Sequence, residues 1–249
     1  MLVILFAFFS IFQSFLSSKE VQDYLPISTF SIVALDSKTG ELGVAVQSKF
    51  IAVGSVVPYA KAEVGAVATQ AWGNVLYGTM GLELLKQGKN PHQIVKMLVE
   101  MDPLGDHRQL AIIGSDGNVS NHTGKKCLPW AGAKIGKNYS AQGNLLTGPE
   151  VIEAMATTFE SSEGKLGERL ISSLFAGQQA GGDKRGRQSA ALLLVRKNWG
   201  YGGTNDRFRD IRVDDHPFPI KELERIYKLH CKIFPRPDRP VKNDKTLKY

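Results

Sequence analysis

A threonine at the head of an apolar strand offers the most chemistry in this chain. The stretch Thr29-Phe30-Ser31-Ile32-Val33-Ala34-Leu35 turns through Asp36-Ser37-Lys38-Thr39-Gly40-Glu41 and returns through Leu42-Gly43-Val44-Ala45-Val46-Gln47-Ser48-Lys49. If Thr29 were a free N-terminus, its hydroxyl and its α-amine would share one residue. Such an amine ordinarily titrates near ~7.7–8, so a fraction is neutral at pH 7 and can take the hydroxyl proton. Nucleophile and base are then one residue. Thr29 is internal in the chain as written, so this chemistry needs the Ser28–Thr29 bond cut. Autoproteolysis would serve: Thr29 attacks the Ser28 carbonyl, and the resulting ester hydrolyses. Ser28 is a rival nucleophile, and a β-branched residue opening a strand is the alternative without chemistry.

Other residue types could complete such a site. Lys49, on the returning strand, could hold the amine neutral and lower the hydroxyl pKa, or be a solvated strand lysine. Ser48 should point to the face opposite Lys49. Asn144 in Gln142-Gly143-Asn144 is the oxyanion-hole candidate, because a rigid amide beside a glycine lets the backbone approach closely; its alternative is a turn asparagine. The basic loop Gly181-Gly182-Asp183-Lys184-Arg185-Gly186-Arg187-Gln188 could clamp a carboxylate through Arg187 or Arg185. An arginine paired with Asp206 or Asp214 is the structural alternative. The loop lacks the order of a phosphate-binding P-loop. The five histidines show no metal-ligand spacing, and Asp214-Asp215-His216-Pro217 reads as a helix cap.

These residues carry a resemblance to a known family. Thr29 to Ala34 with Gly43 to Val46 and Ser48-Lys49-Phe50 resembles an uncharacterised bacterial family, a domain of unknown function placed in the N-terminal nucleophile (Ntn) hydrolase superfamily. Matching blocks are Val64 to Trp72, His122-Thr123-Gly124, Gln142-Gly143-Asn144, Gly181-Gly182-Asp183 with Arg185 to Ser189, and Val213 to Pro217. Together they span roughly residues 29 to 230. The resemblance implies a four-layer α-β-β-α sandwich and hydrolysis of an amide bond through an acyl-threonine ester. It makes Thr29, Lys49 and Asn144 the catalytic candidates and Arg187, Gln70 and His122 the substrate-binding ones. It implies neither metal nor cofactor. A catalytically silent protein that kept the fold and binds a ligand is the alternative.

Composition sets the frame. A chain of 249 residues, 43% hydrophobic, can bury one substantial core. Of its formal charge of +7, the end supplies +3: residues 235–249 hold five basic and two acidic residues with three prolines, the composition of a disordered tail. No zinc-ligand spacing, ribonucleoprotein motif or helix-turn-helix pattern supports nucleic-acid binding. The expected partners are a small, anionic substrate and further copies of the chain in a homo-oligomer. The apolar run Leu2 to Leu16 is short for a membrane span and suits a secretory signal, although no Lys or Arg precedes it. Residues 1–28 therefore read as leader and linker, and export, with removal or retention of the leader as anchor, is the expectation. An uncleaved anchor or a misassigned start are the alternatives. Cys127 and Cys231 permit at most one disulfide.

The elements that must position these residues follow from periodicity. Strands are expected at residues 29–35, 42–48, 55–61 (edge or bent, because of Pro58), 64–69, 109–114, 119–122, 139–146, 189–195 and 210–213. Helices are expected at 77–87, from Pro91 to before Pro103, after Gly148-Pro149, up to Gly177, and at 219–230. Strands, two helices, strands, two helices and strands favour an α+β fold of two sheets with helices outside them, over residues 29–234.

Overall fold

The computed structural model describes residues 29–236. The expected leader and linker, residues 1–28 with Ser28, and most of the expected tail lie outside the described residues. Among the described residues, ten strands form two antiparallel sheets, and five α-helices accompany them. The strands are β1 (Thr29–Asp36), β2 (Glu41–Ser48), β3 (Pro58–Lys61), β4 (Gly65–Ala71), β5 (Arg108–Gly114), β6 (Val119–Thr123), β7 (Gly132–Gly136), β8 (Tyr139–Gly143), β9 (Ser189–Val195) and β10 (Arg207–Val213). The helices are α1 (Leu76–Lys86), α2 (Pro91–Glu100), α3 (Glu150–Ser161), α4 (Leu166–Gln179) and α5 (Pro219–Ile233). One sheet has the order β10-β9-β2-β1-β8-β7, the other β3-β4-β5-β6.

Local chemistry fixes these elements. The β1–β2 turn is closed by Asp36, whose carboxylate accepts the Lys38 N–H at 2.9 Å and whose carbonyl accepts that of Gly40 at 2.8 Å. Gly40 has φ +73°, which a glycine adopts at little cost. Helix α2 starts with Pro91 after an Asn90–Gln93 capping box. Pro58 opens β3 at the sheet edge, where its missing N–H costs nothing; residues 53–55 before it form a 3₁₀ turn instead of extending the strand. The expected strand over 139–146 ends at Gly143, because Leu145 turns back with φ +52°. Strand β7, bracketed by two glycines, has no alternation to announce it, and it pairs only with β8 at an edge.

Three apolar layers hold the molecule. Phe30, Ile32 and Ala34 of β1 pack with Leu192 and Leu194 against Met155, Phe159, Leu170, Leu174 and Leu223 of α3, α4 and α5. The alternate β1 residues, Val33 and Leu35, meet Val44, Val46, Ala66, Ala68, Ala111 and Ile113 between the sheets. On the far side, Val67, Leu110 and Ile112 lie under Tyr77, Ile94 and Leu98 of α1 and α2. The stack therefore runs helices, sheet, sheet, helices. A period of two lets each central strand feed two layers at once.

Composition places Arg236 in the tail, but the fold claims it. Its guanidinium reaches Glu41 at 2.8 Å, with both side chains under a tenth exposed, and lies over the Trp199 ring. Removing one partner leaves the other charge buried. Arg236→Ala is expected to lower stability by about 2–3 kcal/mol in urea unfolding; a midpoint equal to wild type would mean that the pair is solvated. Both cysteines are free, Cys127 buried and Cys231 half-buried, so no disulfide closes the chain. Among the described residues, no helix is long and apolar enough to cross a membrane.

Candidate active site

The inner faces of the sheets change character along their strands. The apolar positions between the sheets give way, at the Thr29 end, to Thr29, Ser31, Ser48, Gln70, Gln109, Ser140 and Gln142, all fully buried. Polar groups so placed must find partners in one another. Ser31 Oγ donates to Gln70 Oε1 at 2.7 Å and accepts from Gln142 Nε2 at 2.7 Å. Gln70 Nε2 donates to Gln109 Oε1 at 2.7 Å, and Gln109 Nε2 to Gly143 O at 2.8 Å and Thr123 Oγ1 at 3.0 Å. Ser140 Oγ donates to Gln142 Oε1 at 2.8 Å and accepts from Asn121 Nδ2 at 3.2 Å. This network ties the two sheets together with hydrogen bonds where apolar contact stops.

Thr29 stands at its edge. Antiparallel pairing sets Thr29 opposite Ser48, and Thr29 Oγ1 donates to Ser48 Oγ at 3.1 Å. The Thr29 carbonyl accepts the Asn144 N–H at 3.0 Å. Gly143 permits this approach, since a Cβ there would stand 3.1 Å from Thr29 O and 2.5 Å from a Leu146 methyl. The Asn144 amide donates to Gln109 Oε1 at 3.1 Å. One hydrogen of that amide is thereby used and the other remains. Two non-glycine residues immediately after site residues have left-handed backbone, Ala71 after Gln70 (φ +67°) and Leu145 after Asn144 (φ +52°). Such conformations are uncommon outside glycine and cluster at functional sites.

The remaining sequence candidates scatter. Lys49 lies just past β2 with an exposed side chain; its backbone N–H, not its ammonium, is held, by Asp183 Oδ2 at 3.1 Å. His122 sits on the opposite face of β6 from Asn121 and Thr123, its ring nitrogen 2.9 Å from Gly105 O, so it does not join Thr29. Arg187 is exposed and lies over the Phe218 ring at 4.4 Å. The pairing with Asp206 or Asp214 does not form for either loop arginine. Arg185 instead pairs with buried Asp183 at 2.8 Å, and that carboxylate also accepts the Arg185 N–H. His216 accepts the Phe218 N–H at 3.0 Å just ahead of α5, but no side chain caps the helix, so the cap read from Asp214-Asp215-His216-Pro217 does not form. Thr29, Gln70 and Asn144 are thus brought together, while Lys49, His122 and Arg187 are not.

Ser31 and Gln109 lie outside the candidates that the sequence offers, and Ser48 enters there only as the neighbour of Lys49. The signal was present: Thr29-x-Ser31, Ala68-x-Gln70, Gln109-x-Ala111 and Ser140-x-Gln142 put polar residues at the inward positions of four strands. The apolar lengths of those strands masked it.

A second buried cluster braces the same end of the four-stranded sheet from outside. Asp102 accepts from Arg108 Nε at 2.8 Å, Tyr77 Oη at 3.0 Å and Asn74 Nδ2 at 3.1 Å, and Arg108 also donates to Trp72 O. Burial alone would raise the Asp102 pKa. The hydrogen bonds from Arg108, the Leu104 N–H and Asn74, with the Arg108 charge, hold it below the ordinary carboxylate value instead. A carboxylate so depressed stabilises the fold above its unfolded pKa, and that contribution is lost as pH falls through the folded one. Stability measured in urea is expected to fall more steeply in wild type than in Asp102→Asn once pH drops below about 4. Parallel curves would remove Asp102 as the cause.

Comparison with known proteins now adds the family. The model of a family described as a family of unknown function (DUF1028) matches residues 29–223, and the chain belongs to that family. Among solved structures it is similar to the crystal structure of protein SPO2555 from Silicibacter pomeroyi, also assigned to the DUF1028 family model. The two are 30% identical over 82% of this chain and 89% of that one, with a TM-score of 0.75. No match is found among the curated proteins.

Proposed function

We propose that this member of the DUF1028 family is an N-terminal nucleophile hydrolase that cleaves an amide bond in a small, anionic compound, with Thr29 as nucleophile once residue 28 is removed. The observation that carries the reading is Thr29 itself: the first residue of a central strand, its hydroxyl bonded to Ser48 and its carbonyl to Asn144. The order helices, sheet, sheet, helices supports it, being the layering of the Ntn superfamily that the sequence resembles. So does the left-handed backbone after Gln70 and Asn144. In the reaction, the freed α-amine takes the hydroxyl proton and Oγ1 bonds to the amide carbon. The carbon–nitrogen bond then breaks, the departing amine leaves with that proton, and water hydrolyses the acyl-threonine ester. Asn144 would donate its second amide hydrogen to the oxyanion. The formal charge of +7 is what favours an anionic substrate.

Intact-mass measurement of the purified protein tests this directly. A species beginning at Thr29 is expected; a sole species retaining Ile27-Ser28 overturns the mechanism. A ligand-binding protein without catalysis is the second reading, favoured by the full burial of the Thr29 side chain. Equal ligand binding by wild type and Thr29→Ala, with no acyl adduct on either, would select it. The apolar run Leu2 to Leu16 supports export of the protein, which fractionation of the native full-length chain would check.

A further inference from the structure

We propose that the cavity between the end of α4, the start of α5 and the 181–188 loop is a binding site for a small organic carboxylate with a flat apolar body. It encloses about 320 Å³, at the lower end of the ~300–1,000 Å³ of small-molecule sites. Phe175 and Gln178 line it from α4, Phe218 from the residue before α5, Ile220 and Lys221 from α5, and Arg187 from the loop.

Charge and shape both point to that ligand. Asp183 takes Arg185, and among the described residues no carboxylate pairs with Arg187. The guanidinium carbon of Arg187 sits 4.4 Å from the Phe218 ring centroid, so the ring steadies the guanidinium at the cavity. Neither Arg187 nor Lys221 forms an ion pair among the described residues. Helix α5, fifteen residues long, begins at Pro219 without a side-chain cap, and its first residues, Pro219 to Lys221, stand at this wall with the positive end of the helix dipole. Glu222 in the same turn is drawn away by Arg225 at 2.8 and 2.6 Å. A carboxylate matches a guanidinium fork in two parallel hydrogen bonds. Phe175, Phe218 and Ile220 supply apolar walls that an inorganic anion would leave uncovered.

The helix side of the same sheet also holds under-satisfied polar groups. Gln47 faces the helices from β2, fully buried, with neither side-chain polar atom hydrogen-bonded, and the Gln178 amide oxygen likewise has no partner. Such atoms are rare in a finished protein interior. The site lies on the helix side of the six-stranded sheet, whereas Thr29 and Ser48 face the other sheet. The proposal therefore goes beyond the hydrolase reading and holds for a silent binding protein as well.

Calorimetric titration of the full chain with benzoate tests it, with benzamide and inorganic phosphate as comparisons. Benzoate is expected to bind saturably at millimolar concentration, at least about tenfold more tightly than either comparison, because only it combines the charge with the ring. Arg187→Gln should weaken benzoate about tenfold or more with an unchanged melting temperature, and Thr29→Ala should bind as wild type does. Absence of saturable binding, equal binding of benzamide or phosphate, or full affinity in Arg187→Gln would each overturn the proposal.

Discussion

The Thr29→Ala chain is expected to be recovered only at its unprocessed mass and to turn over no amide above background. Without the hydroxyl there is no atom to attack the Ser28 carbonyl, so both self-cleavage and the acyl-threonine ester are lost together. Removing the nucleophile of a covalent hydrolase costs on the order of 10⁴–10⁶-fold in rate. Thr29→Ser keeps the oxygen and should still be processed, more slowly, since the threonine methyl no longer fixes the rotamer. The contrast between these two variants separates chemistry from folding, because alanine and serine perturb the buried strand end similarly. Asn144→Ala should leave processing detectable but reduce it by about 10²–10³-fold, the usual cost of one oxyanion donor. Processing of Thr29→Ala at the wild-type position would assign the cut to another protease and remove its support for Thr29 chemistry.

Gln109→Leu is expected to be the most damaging single change to stability, by about 3–5 kcal/mol. Its amide nitrogen serves Gly143 O, Thr123 Oγ1 and Gly132 O, and its oxygen accepts from Gln70 and Asn144. Leucine fills similar space but strands all five groups between two sheets, where desolvation makes an unmade hydrogen bond expensive. The melting temperature should fall by about 6–20 °C, the range such a loss implies for a domain of this size. A second readout follows from the same geometry: freed of Gln109, the Asn144 amide loses its orientation, so processing at Thr29 should slow even where the variant is folded. A fall of less than about 2 °C would show that water replaces the network.

The element order was legible because its signals are local. Apolar alternation marked β1, β2, β5 and β9; Pro91 and Pro219 marked helix starts; and the Asp36–Gly40 and Asp116–Gly117 turns announced their hairpins. Strand β7 was missed for the same reason, since Gly132-Ala133-Lys134-Ile135-Gly136 has no pattern of its own and exists by pairing with β8. The clustering of the candidate residues was legible in part. Thr29, Gln70 and Asn144 come together, but the partner of the Thr29 hydroxyl proved to be Ser48, while Lys49 faces solvent.

The sequence by itself determined which residues alternate inward on each strand, and hence that Thr29, Ser31, Gln70, Gln109 and Gln142 would be buried together if their strands met. Only the tertiary structure decided that they do meet. Strand register is set by hydrogen bonds between segments far apart in the chain, β1 with β8 and β4 with β5, and no local pattern encodes which residues those bonds bring opposite. The same long-range pairing drew Arg236 from a tail-like composition onto Glu41, nearly two hundred residues away, because a buried carboxylate at the β2 end needs a cation wherever the chain can supply one.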